Sequence, residues 1–221
     1  MLELLIMDAD VLKDMPKFQK AMELVGLQRR NKIEKMVKEE NKRLSLAAGL
    51  LLRHAFLSIN RLELYNEIQI TEKGKPFLPN HDYYFSLSHS GRFGICGFSQ
   101  EPIGCDIERM REKLPKVANI FSKEEEKTFL SLDDMEKRQF FFQVWTSKES
   151  VTKWMGVGIG YPFYSFSVMN ERHIRNSVIM ENKTLFLKSY RMEDYVISLS
   201  TEAGIFPGKL REIDWNILSE N

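Results

Sequence analysis

Two carboxylates stand two residues apart in the segment Ile-Gly-Cys-Asp-Ile-Glu, residues 103–108. The segment is typical of a β-strand, in which every second side chain points to the same face, so Asp106 and Glu108 share a face about 7 Å apart. Like charges at that distance repel unless a cation or water screens them, and a hard divalent ion suits two carboxylates. An edge strand with a polar outer face has the same pattern. The motif alone is compatible with a metal site and with a solvated strand.

A second charged pair lies on a predicted helix. The apolar periodicity of residues 133–155 predicts a long helix. Glu149 and Lys153 lie one turn apart on the face opposite the apolar stripe, a spacing that usually gives only a solvated ion pair. Phe142 and Trp145 share that face, and two large aromatic side chains beside an ion pair indicate the wall of a cleft. A helix that is buried on two sides would explain them equally well.

A polar strand end offers donors for phosphate. The segment Phe-Ser-Leu-Ser-His-Ser-Gly, residues 85–91, ends a predicted strand with hydroxyls, an imidazole and a glycine. Ser88 and His89 are not a hydrolase pair, because neighbours in a strand point to opposite faces and the chain lacks a G-x-S-x-G elbow. A basic run in an upstream helix could hold a phosphate or form a solvated face. The run comprises Arg29, Arg30, Lys32 and Lys35.

The predicted elements follow the same order twice, a helix and then strands. A helix is predicted from Phe18 to about Ile59, interrupted at Gly26, and the strands after it are 67–71, 84–88, 93–99 and 103–108. Ser122 and Glu125 then predict a capping box, and Gly156 ends the helix of residues 133–155. The strand-like runs after that helix are 166–169, 173–179, 184–190 and 195–199. We therefore expect an α+β fold of two similar halves, residues 1–103 and 104–221.

The composition excludes several classes of protein. The 221 residues carry 32 Lys and Arg against 31 Asp and Glu, a net charge of +1, so no overall field marks a nucleic-acid or membrane-surface protein. No run approaches the ~18 apolar residues of a membrane span, and the start of the chain lacks the basic lead-in of a signal peptide. Cys96 and Cys105 have no CxxC spacing and no neighbouring histidine, so we expect small core residues. The expected location is the cytoplasm.

Five short motifs together resemble the 4′-phosphopantetheinyl transferases, and the match is closest to the larger, surfactin-synthetase-activating type. They stand in that family's order and spacing across residues 74 to 153. The motifs are GKP at residues 74–76, FSLSHS at 85–90, IGCDIE at 103–108, FSKEE at 121–125 and WTSKESVTK at 145–153. One departure is visible: the family often has a lysine between two glycines after the helix, whereas Val157 stands here.

The resemblance implies a pseudo-twofold arrangement of two α/β halves, each a long helix on a small, mainly antiparallel sheet, with coenzyme A and Mg²⁺ bound between them. It implies that Asp106, Glu108 and Glu149 are the metal ligands and that Lys153 contacts the pyrophosphate. Asp106, Glu149 and Lys153 are the expected catalytic residues. The remaining coenzyme A contacts that it implies are Ser88 and His89 at phosphate oxygens, Gly74, Lys75 and Pro76 along the adenosine, and Arg29, Lys32 and Ser45 at the 3′-phosphate.

The implied activity is Mg²⁺-dependent transfer of 4′-phosphopantetheine from coenzyme A to a serine of an acyl or peptidyl carrier protein, by a monomer. An acidic carrier helix would meet basic and apolar residues, for which Lys113, Lys116 and Lys123, flanking Ile120 and Phe121, are our candidates. Two alternatives stay open. One is another Mg²⁺-dependent phosphoryl or nucleotidyl transferase, although no Walker loop is present. The other is a non-enzymatic module that binds RNA or protein through the basic helix of residues 28–43.

Overall fold

Two compact units make up the chain. The computed structural model describes residues 1–79, 83–115, 119–158 and 160–220. One unit is Met1–Gln100 with Pro207–Asn221, and the other is Glu101–Phe206. The predicted halves put residues 207–221 with the second half, whereas the chain returns them to the first unit.

The first unit combines a long helix with strands. Its elements up to residue 100 are β1 (Leu2–Asp8), a 3₁₀ helix (Ala9–Lys13), α1 (Met15–Leu24), α2 (Leu27–Glu34), α3 (Glu39–Ser58), α4 (Leu62–Tyr65), β2 (Gln69–Ile70), β3 (Pro76–Phe77), β4 (Tyr84–Ser90) and β5 (Phe93–Ser99). The sequence predicted β5 with these bounds and β4 within two residues. β1 was not predicted, because its apolar run was considered only as a possible targeting segment.

The predicted helix from Phe18 to Ile59 is three helices. Gly26 is the N-cap of α2, as the interruption predicted. A second break at residues 35–38 separates α2 from α3 and was not predicted. The charged part of this run buries only Ile33, so little packing energy is available to hold one continuous helix across it.

The second unit repeats the combination. Its elements are β6 (Ile103–Arg109), α5 (Lys123–Ser131), α6 (Asp134–Met155), a 3₁₀ helix (Phe163–Ser165), β7 (Met169–Asn170), β8 (His173–Ile174), β9 (Ser177–Met180), β10 (Lys183–Met192) and β11 (Tyr195–Thr201). The last elements of the chain, β12 (Arg211–Glu212) and α7 (Trp215–Ser219), belong to the first unit and were not predicted.

Each unit has a four-stranded sheet with one long helix packed on it. The sheet order is β12-β1-β5-β4 in the first unit and β6-β11-β10-β9 in the second. All pairs are antiparallel except β1 with β12. α3 packs on β5, β4 and β1, and α6 packs on β6 and β11. The predicted α+β class, with a long helix on a mainly antiparallel sheet in each half, is confirmed.

Local signals fix both ends of α6. Asp133 is the N-cap, its side chain accepts a hydrogen bond from the Glu136 amide, and Glu136 returns the bond in a capping box. Gly156 ends the helix in the left-handed region, with φ 74°, where a residue without Cβ meets no steric penalty. Ser122 and Glu125 form the predicted capping box of α5. The predicted start and end of the long helix are therefore confirmed.

Separate apolar cores stabilise the two units. In the first, Phe56 of α3 is surrounded by aromatic rings, with Phe98 edge-on at 5.1 Å and Phe85 edge-on at 6.1 Å between centroids. In the second, Val144 and Val151 of α6 are fully buried in a cluster that continues into β10 and β11. Both cysteines are free and buried, as the sequence predicted. Among the described residues no helix is long and apolar enough to cross a membrane.

A polar seam joins α6 to its sheet at close range. The Ser200 hydroxyl of β11 donates to the Ser150 carbonyl oxygen of α6 at 2.9 Å. The Ser198 hydroxyl lies 2.8 Å from the Thr146 hydroxyl. In β6 an added Cβ on Gly104 would lie 1.9 Å from the Ser150 carbonyl oxygen. Because no carbon fits there, glycine is required for this approach of helix to strand.

We predict that Gly104→Ala destabilises the protein by about 3 kcal/mol, because α6 must move away from β6 to admit the methyl group. Urea unfolding at 25 °C measures the change. Gly208→Ala is the matched control, since nothing lies within 4 Å of an added Cβ at Gly208. A decrease of less than about 1 kcal/mol in the free energy of unfolding of Gly104→Ala would contradict tight packing of α6 on β6 at this point.

Candidate active site

The carboxylates of β6 face α6. Gly104, which shares their face of the strand, lies against the Ser150 carbonyl. Lys153 Nζ donates to Asp106 Oδ1 at 2.7 Å, and Trp145 Nε1 donates to Glu108 Oε1 at 3.4 Å. The strand is therefore not a solvated edge with a polar outer face, because Asp106 is 4% exposed and bonded to the helix.

One stripe of α6 carries the side chains that meet this strand. Trp145, Glu149 and Lys153 recur every four residues, which places them on one helical face. All three are half-buried, while residues 146–148 and 150–152 between them are buried. The helix is thus covered on most sides along its middle, and this stripe keeps partial access to solvent. Phe142, which was predicted to share the stripe, is buried in the core instead.

The charges on this stripe perturb one another. Burial raises the pKa of Glu149 to about 7, helped by the Asp106 and Glu108 carboxylates and opposed by the Lys153 ammonium. For Lys153, burial is the largest influence and lowers the pKa, but attraction to Asp106, Cys105 and Glu149 together with the hydrogen bond to Asp106 raises the pKa overall. Glu149 is therefore an acid in a region with an excess of negative charge that Lys153 does not cancel.

The acidic residues fit a divalent cation in their chemistry. Within the described residues, no three His, Cys, Asp or Glu side chains are grouped so that they could hold a metal ion as they stand. Asp106, Glu108 and Glu149 nevertheless supply hard oxygen donors, and the raised pKa of Glu149 shows that positive charge is in deficit among them. Their role as metal ligands stays a prediction.

The predicted 3′-phosphate residues lie together in the first unit. Arg29 of α2 donates from Nη1 to Ser45 Oγ of α3 at 3.4 Å. Burial lowers the pKa of Arg29, and burial followed by repulsion from Arg29 lowers the pKa of Lys32. Arginine stays charged despite such a shift. Arg29 is half-buried beside a hydroxyl, and Lys32 is exposed but close enough to repel Arg29, so the two cations together would attract an anion. Lys32 itself also fits the solvated face that the sequence allowed.

The predicted adenosine residues form a turn, and the serine-histidine strand is β4. Gly74 has φ 83° between β2 and β3, and its amide donates to the Thr71 carbonyl at 2.8 Å. Pro76 begins β3. Burial lowers the pKa of Lys75. In β4, Ser88 is buried and His89 is exposed, as alternation along a strand requires. The coenzyme A contacts assigned to all of these residues stay predictions.

Sequence reasoning missed a buried ion pair beside Glu149. Lys148 and Glu125 have fully buried side chains and form a salt bridge. Lys148 Nζ also donates to the carbonyl oxygens of Ile120, Phe163 and Phe166 at 2.9, 2.7 and 2.8 Å. Both residues stand inside the recognised motifs, but Glu125 was interpreted only as part of a capping box and Lys148 received no role.

The candidate carrier-docking residues differ in how much of their surface is exposed. Lys113 and Lys123 are exposed, while Lys116 lies outside the described residues. Ile120 is 3% exposed, so it offers a partner no apolar surface. Phe121 is half-buried, and its ring packs on Phe129 with 4.7 Å between centroids. Of the two apolar candidates only Phe121 has surface available.

Comparison with known proteins identifies the family. Residues 102–200 match a model described as the 4′-phosphopantetheinyl transferase superfamily, and residues 14–100 match one described as 4′-phosphopantetheinyl transferase, N-terminal. A relative from Bacillus subtilis, 4′-phosphopantetheinyl transferase ffp, is 31% identical over 89% of this chain and 91% of its own. The B. subtilis (strain 168) 4′-phosphopantetheinyl transferase Sfp is 28% identical over 90% of this chain and 92% of its own. The gsp transferase of Aneurinibacillus migulanus is 34% identical over 63% of this chain and 59% of its own.

Two acids on an edge strand, facing a glutamate and a lysine on the long helix, define together with these matches a class of transferase. The chain belongs to the 4′-phosphopantetheinyl transferase superfamily and resembles the Sfp-like type most. The resemblance that five sequence motifs indicated is confirmed.

The raised pKa of Glu149 leads to a prediction about stability. From its ordinary value of 4.5 the pKa rises to about 7 on folding, so the folded state holds a proton more tightly than the unfolded state. Any stabilising effect of that proton is full below pH 4.5 and is lost as the pH rises through about 7. Glu149→Gln should therefore stabilise the ion-free protein at pH 8 by on the order of 2 kcal/mol more than at pH 5.

Urea unfolding of both proteins in a chelating buffer at the two pH values measures this difference. Glu126→Gln is the matched control, because Glu126 is an exposed glutamate in the same unit. An equal effect of Glu149→Gln at both pH values would contradict the raised pKa of Glu149.

Proposed function

We propose that this chain transfers the 4′-phosphopantetheine group of coenzyme A to a serine of an acyl or peptidyl carrier protein, with Mg²⁺, and releases adenosine 3′,5′-bisphosphate. The observation that carries the proposal is the approach of Glu149 and Lys153 on α6 to Asp106 and Glu108 on β6. Family membership supports the same activity, because the relatives that cover most of the chain are named as 4′-phosphopantetheinyl transferases.

Asp106, Glu108 and Glu149 would hold the Mg²⁺ ion. When bound, Mg²⁺ supplies positive charge at the pyrophosphate and so favours departure of the leaving phosphate. The ion would then balance the negative charge of the three carboxylates, which repel one another enough to help raise the pKa of Glu149.

Glu149 is suited to take a proton. Burial and the neighbouring carboxylates raise the pKa of Glu149 to about 7 in the ion-free chain. With Mg²⁺ bound, this pKa would fall and Glu149 would stay ionised, so that its carboxylate is able to accept a proton at neutral pH. The carrier serine oxygen attacks the β-phosphorus, its proton passes to Glu149, and the bond from that phosphorus to the oxygen of the α-phosphate breaks. The products are the phosphopantetheinyl serine and adenosine 3′,5′-bisphosphate.

Lys153 would stabilise the leaving group. Its ammonium carries a charge held by Asp106, which raises its pKa, so it is positive at neutral pH. In the ligand-free chain the Lys153 ammonium donates a hydrogen bond to Asp106, and an anionic pyrophosphate would compete with Asp106 for this ammonium.

The first unit would bind the nucleotide. Arg29, Lys32 and Ser45 are assigned to the 3′-phosphate because the half-buried Arg29 contacts the Ser45 hydroxyl and Lys32 adds a second positive charge nearby. Gly74, Lys75 and Pro76 are assigned to the adenosine, and Ser88 with His89 to phosphate oxygens. We further infer a monomer, since one chain carries both sets of residues. The cytoplasmic location that the sequence led us to expect is part of the same proposal.

No observation favours the alternative functions. In the basic run of residues 28–43, which is broken at residues 35–38, the Arg29 guanidinium donates a hydrogen bond to Ser45, and this argues against one continuous basic surface for RNA. A transferase acting on another pyrophosphate compound would use the same acidic residues, but family membership points to coenzyme A.

We predict that the protein adds the mass of one phosphopantetheine to an apo carrier protein in the presence of coenzyme A and Mg²⁺, and that Glu149→Gln abolishes this addition. Glutamine is neutral, so it neither accepts the serine proton nor neutralises the ion. Intact-protein mass spectrometry of the carrier measures the addition, and calorimetry should find coenzyme A binding largely unchanged. Near-normal turnover by Glu149→Gln would remove both roles from Glu149.

We predict that Arg29→Gln narrows the preference of the enzyme for coenzyme A over 3′-dephospho-coenzyme A by about tenfold or more. The 3′-phosphate is the group that distinguishes these substrates, and a charge-assisted hydrogen bond contributes about 1.5–3 kcal/mol. The ratio of kcat/KM for the two substrates measures the preference. Lys20→Gln, at an exposed lysine of α1, is the control and should keep the wild-type ratio. An unchanged ratio in Arg29→Gln would place the 3′-phosphate elsewhere.

A further inference from the structure

The indole of Trp145 is fixed by aromatic contacts on two sides. Its ring stacks parallel to Phe141, with 6.4 Å between centroids and 4° between planes. Phe163 meets it edge-on, with 5.7 Å between centroids and 79° between planes. Offset stacking and edge-to-face contact are the favoured arrangements of aromatic pairs, so the direction of the indole N–H is set by packing.

Phe163 is itself held by the buried ion pair. Its carbonyl oxygen accepts a hydrogen bond from Lys148 Nζ at 2.7 Å, and the Phe166 carbonyl accepts another at 2.8 Å. Lys148 pairs with Glu125, whose Oε1 also accepts from the Val168 amide at 2.7 Å. The backbone of residues 163–168 is thus tied to the interior of α6, and Phe163 cannot withdraw from Trp145 without breaking these bonds.

The indole N–H points at one oxygen of a candidate metal ligand. Trp145 Nε1 lies 3.4 Å from Glu108 Oε1, a long hydrogen bond to a charged acceptor. Indole can only donate, so this contact orients the carboxylate without competing as a ligand. A hydrogen bond that holds a ligating carboxylate from outside tunes metal affinity.

We propose that Trp145 is a positioning residue that orients the Glu108 carboxylate for a divalent cation, and that Lys148 acts through Phe163 to hold Trp145 in place. The inference rests on the proposed function, because it takes Glu108 as a metal ligand. In this role the indole acts on the ion only through the Glu108 carboxylate. Trp145 is in the recognised motif, where the sequence indicated either a cleft wall or a helix buried on two sides and assigned the indole no partner.

The test is Trp145→Phe, which keeps an aromatic ring between Phe141 and Phe163 and removes the N–H donor. Mn²⁺ is titrated into protein saturated with coenzyme A, without carrier, and free Mn²⁺ is followed by its electron paramagnetic resonance signal. We expect Trp145→Phe to bind Mn²⁺ about tenfold more weakly than wild type, as loss of a partner behind a metal ligand does. The Mg²⁺ concentration that gives half-maximal carrier loading should rise by the same factor, and kcat should return to the wild-type value at high Mg²⁺.

Trp154→Phe is the matched control. Trp154 lies on the same helix and is 8% exposed, so the substitution removes a similar volume, but the contact with Glu108 is left intact. Its Mn²⁺ affinity should equal that of wild type. Thermal unfolding of both variants shows whether they stay folded at the temperature of the titration.

The inference fails if Trp145→Phe keeps the wild-type Mn²⁺ affinity, if Trp154→Phe loses as much, or if wild type binds no Mn²⁺. Weaker binding by folded Trp145→Phe alone supports it. These results are separate from the test of the proposed function, which carrier loading by the wild-type protein decides without reference to Trp145.

Discussion

The close approach of α6 to β6 and β11 is the constraint on which the candidate site depends. Gly104 leaves room for the Ser150 carbonyl where any Cβ would clash, and the hydroxyls of Ser198 and Ser200 satisfy polar groups along the contact. Side chains on facing surfaces at this range must meet. Asp106 and Glu108 of the strand therefore reach Lys153 and Trp145 of the helix, and the functional groups are a direct consequence of the backbone packing.

That packing has an electrostatic consequence. It brings three carboxylates and one lysine together where solvent access is limited. Burial and the two neighbouring carboxylates therefore raise the pKa of Glu149 to about 7, although Lys153 opposes the change. Desolvated like charges oppose folding, and the rest of the unit must supply the stability that they remove. A site in which negative charge is only partly balanced is also one that gains from taking up a cation. The same feature that weakens the ion-free fold would therefore favour the proposed Mg²⁺ ion.

The sequence predicted much of this arrangement. The termini of α6, the capping box of Ser122 and the strand at β6 were readable because Gly156, the cap residues and period-two alternation act locally. β1 and β12 could not be predicted in this way. They pair with each other from opposite ends of the chain, and no local pattern indicates such a pairing. The pairing of Lys148 with Glu125 was invisible for the same reason, because a buried lysine looks in sequence like any exposed one. The break at residues 35–38 was also not predictable, because it depends on which residues of the helical run pack against the rest of the unit, and that is set by the tertiary structure.

Lys148 and Glu149 are neighbours on one helix and show that burial alone does not mark a functional group. Burial lowers the pKa of Lys148, but its ammonium has a carboxylate and three carbonyl oxygens as acceptors, more than its three N–H groups can use singly. Its charge is fully satisfied, so it serves to hold backbone in place. Glu149 faces carboxylates and has a pKa moved to the range where protons are exchanged at neutral pH. One turn of α6 therefore carries a charge whose acceptors all lie inside the protein and, beside it, a half-buried carboxylate among like charges, and the perturbed carboxylate is the candidate for chemistry.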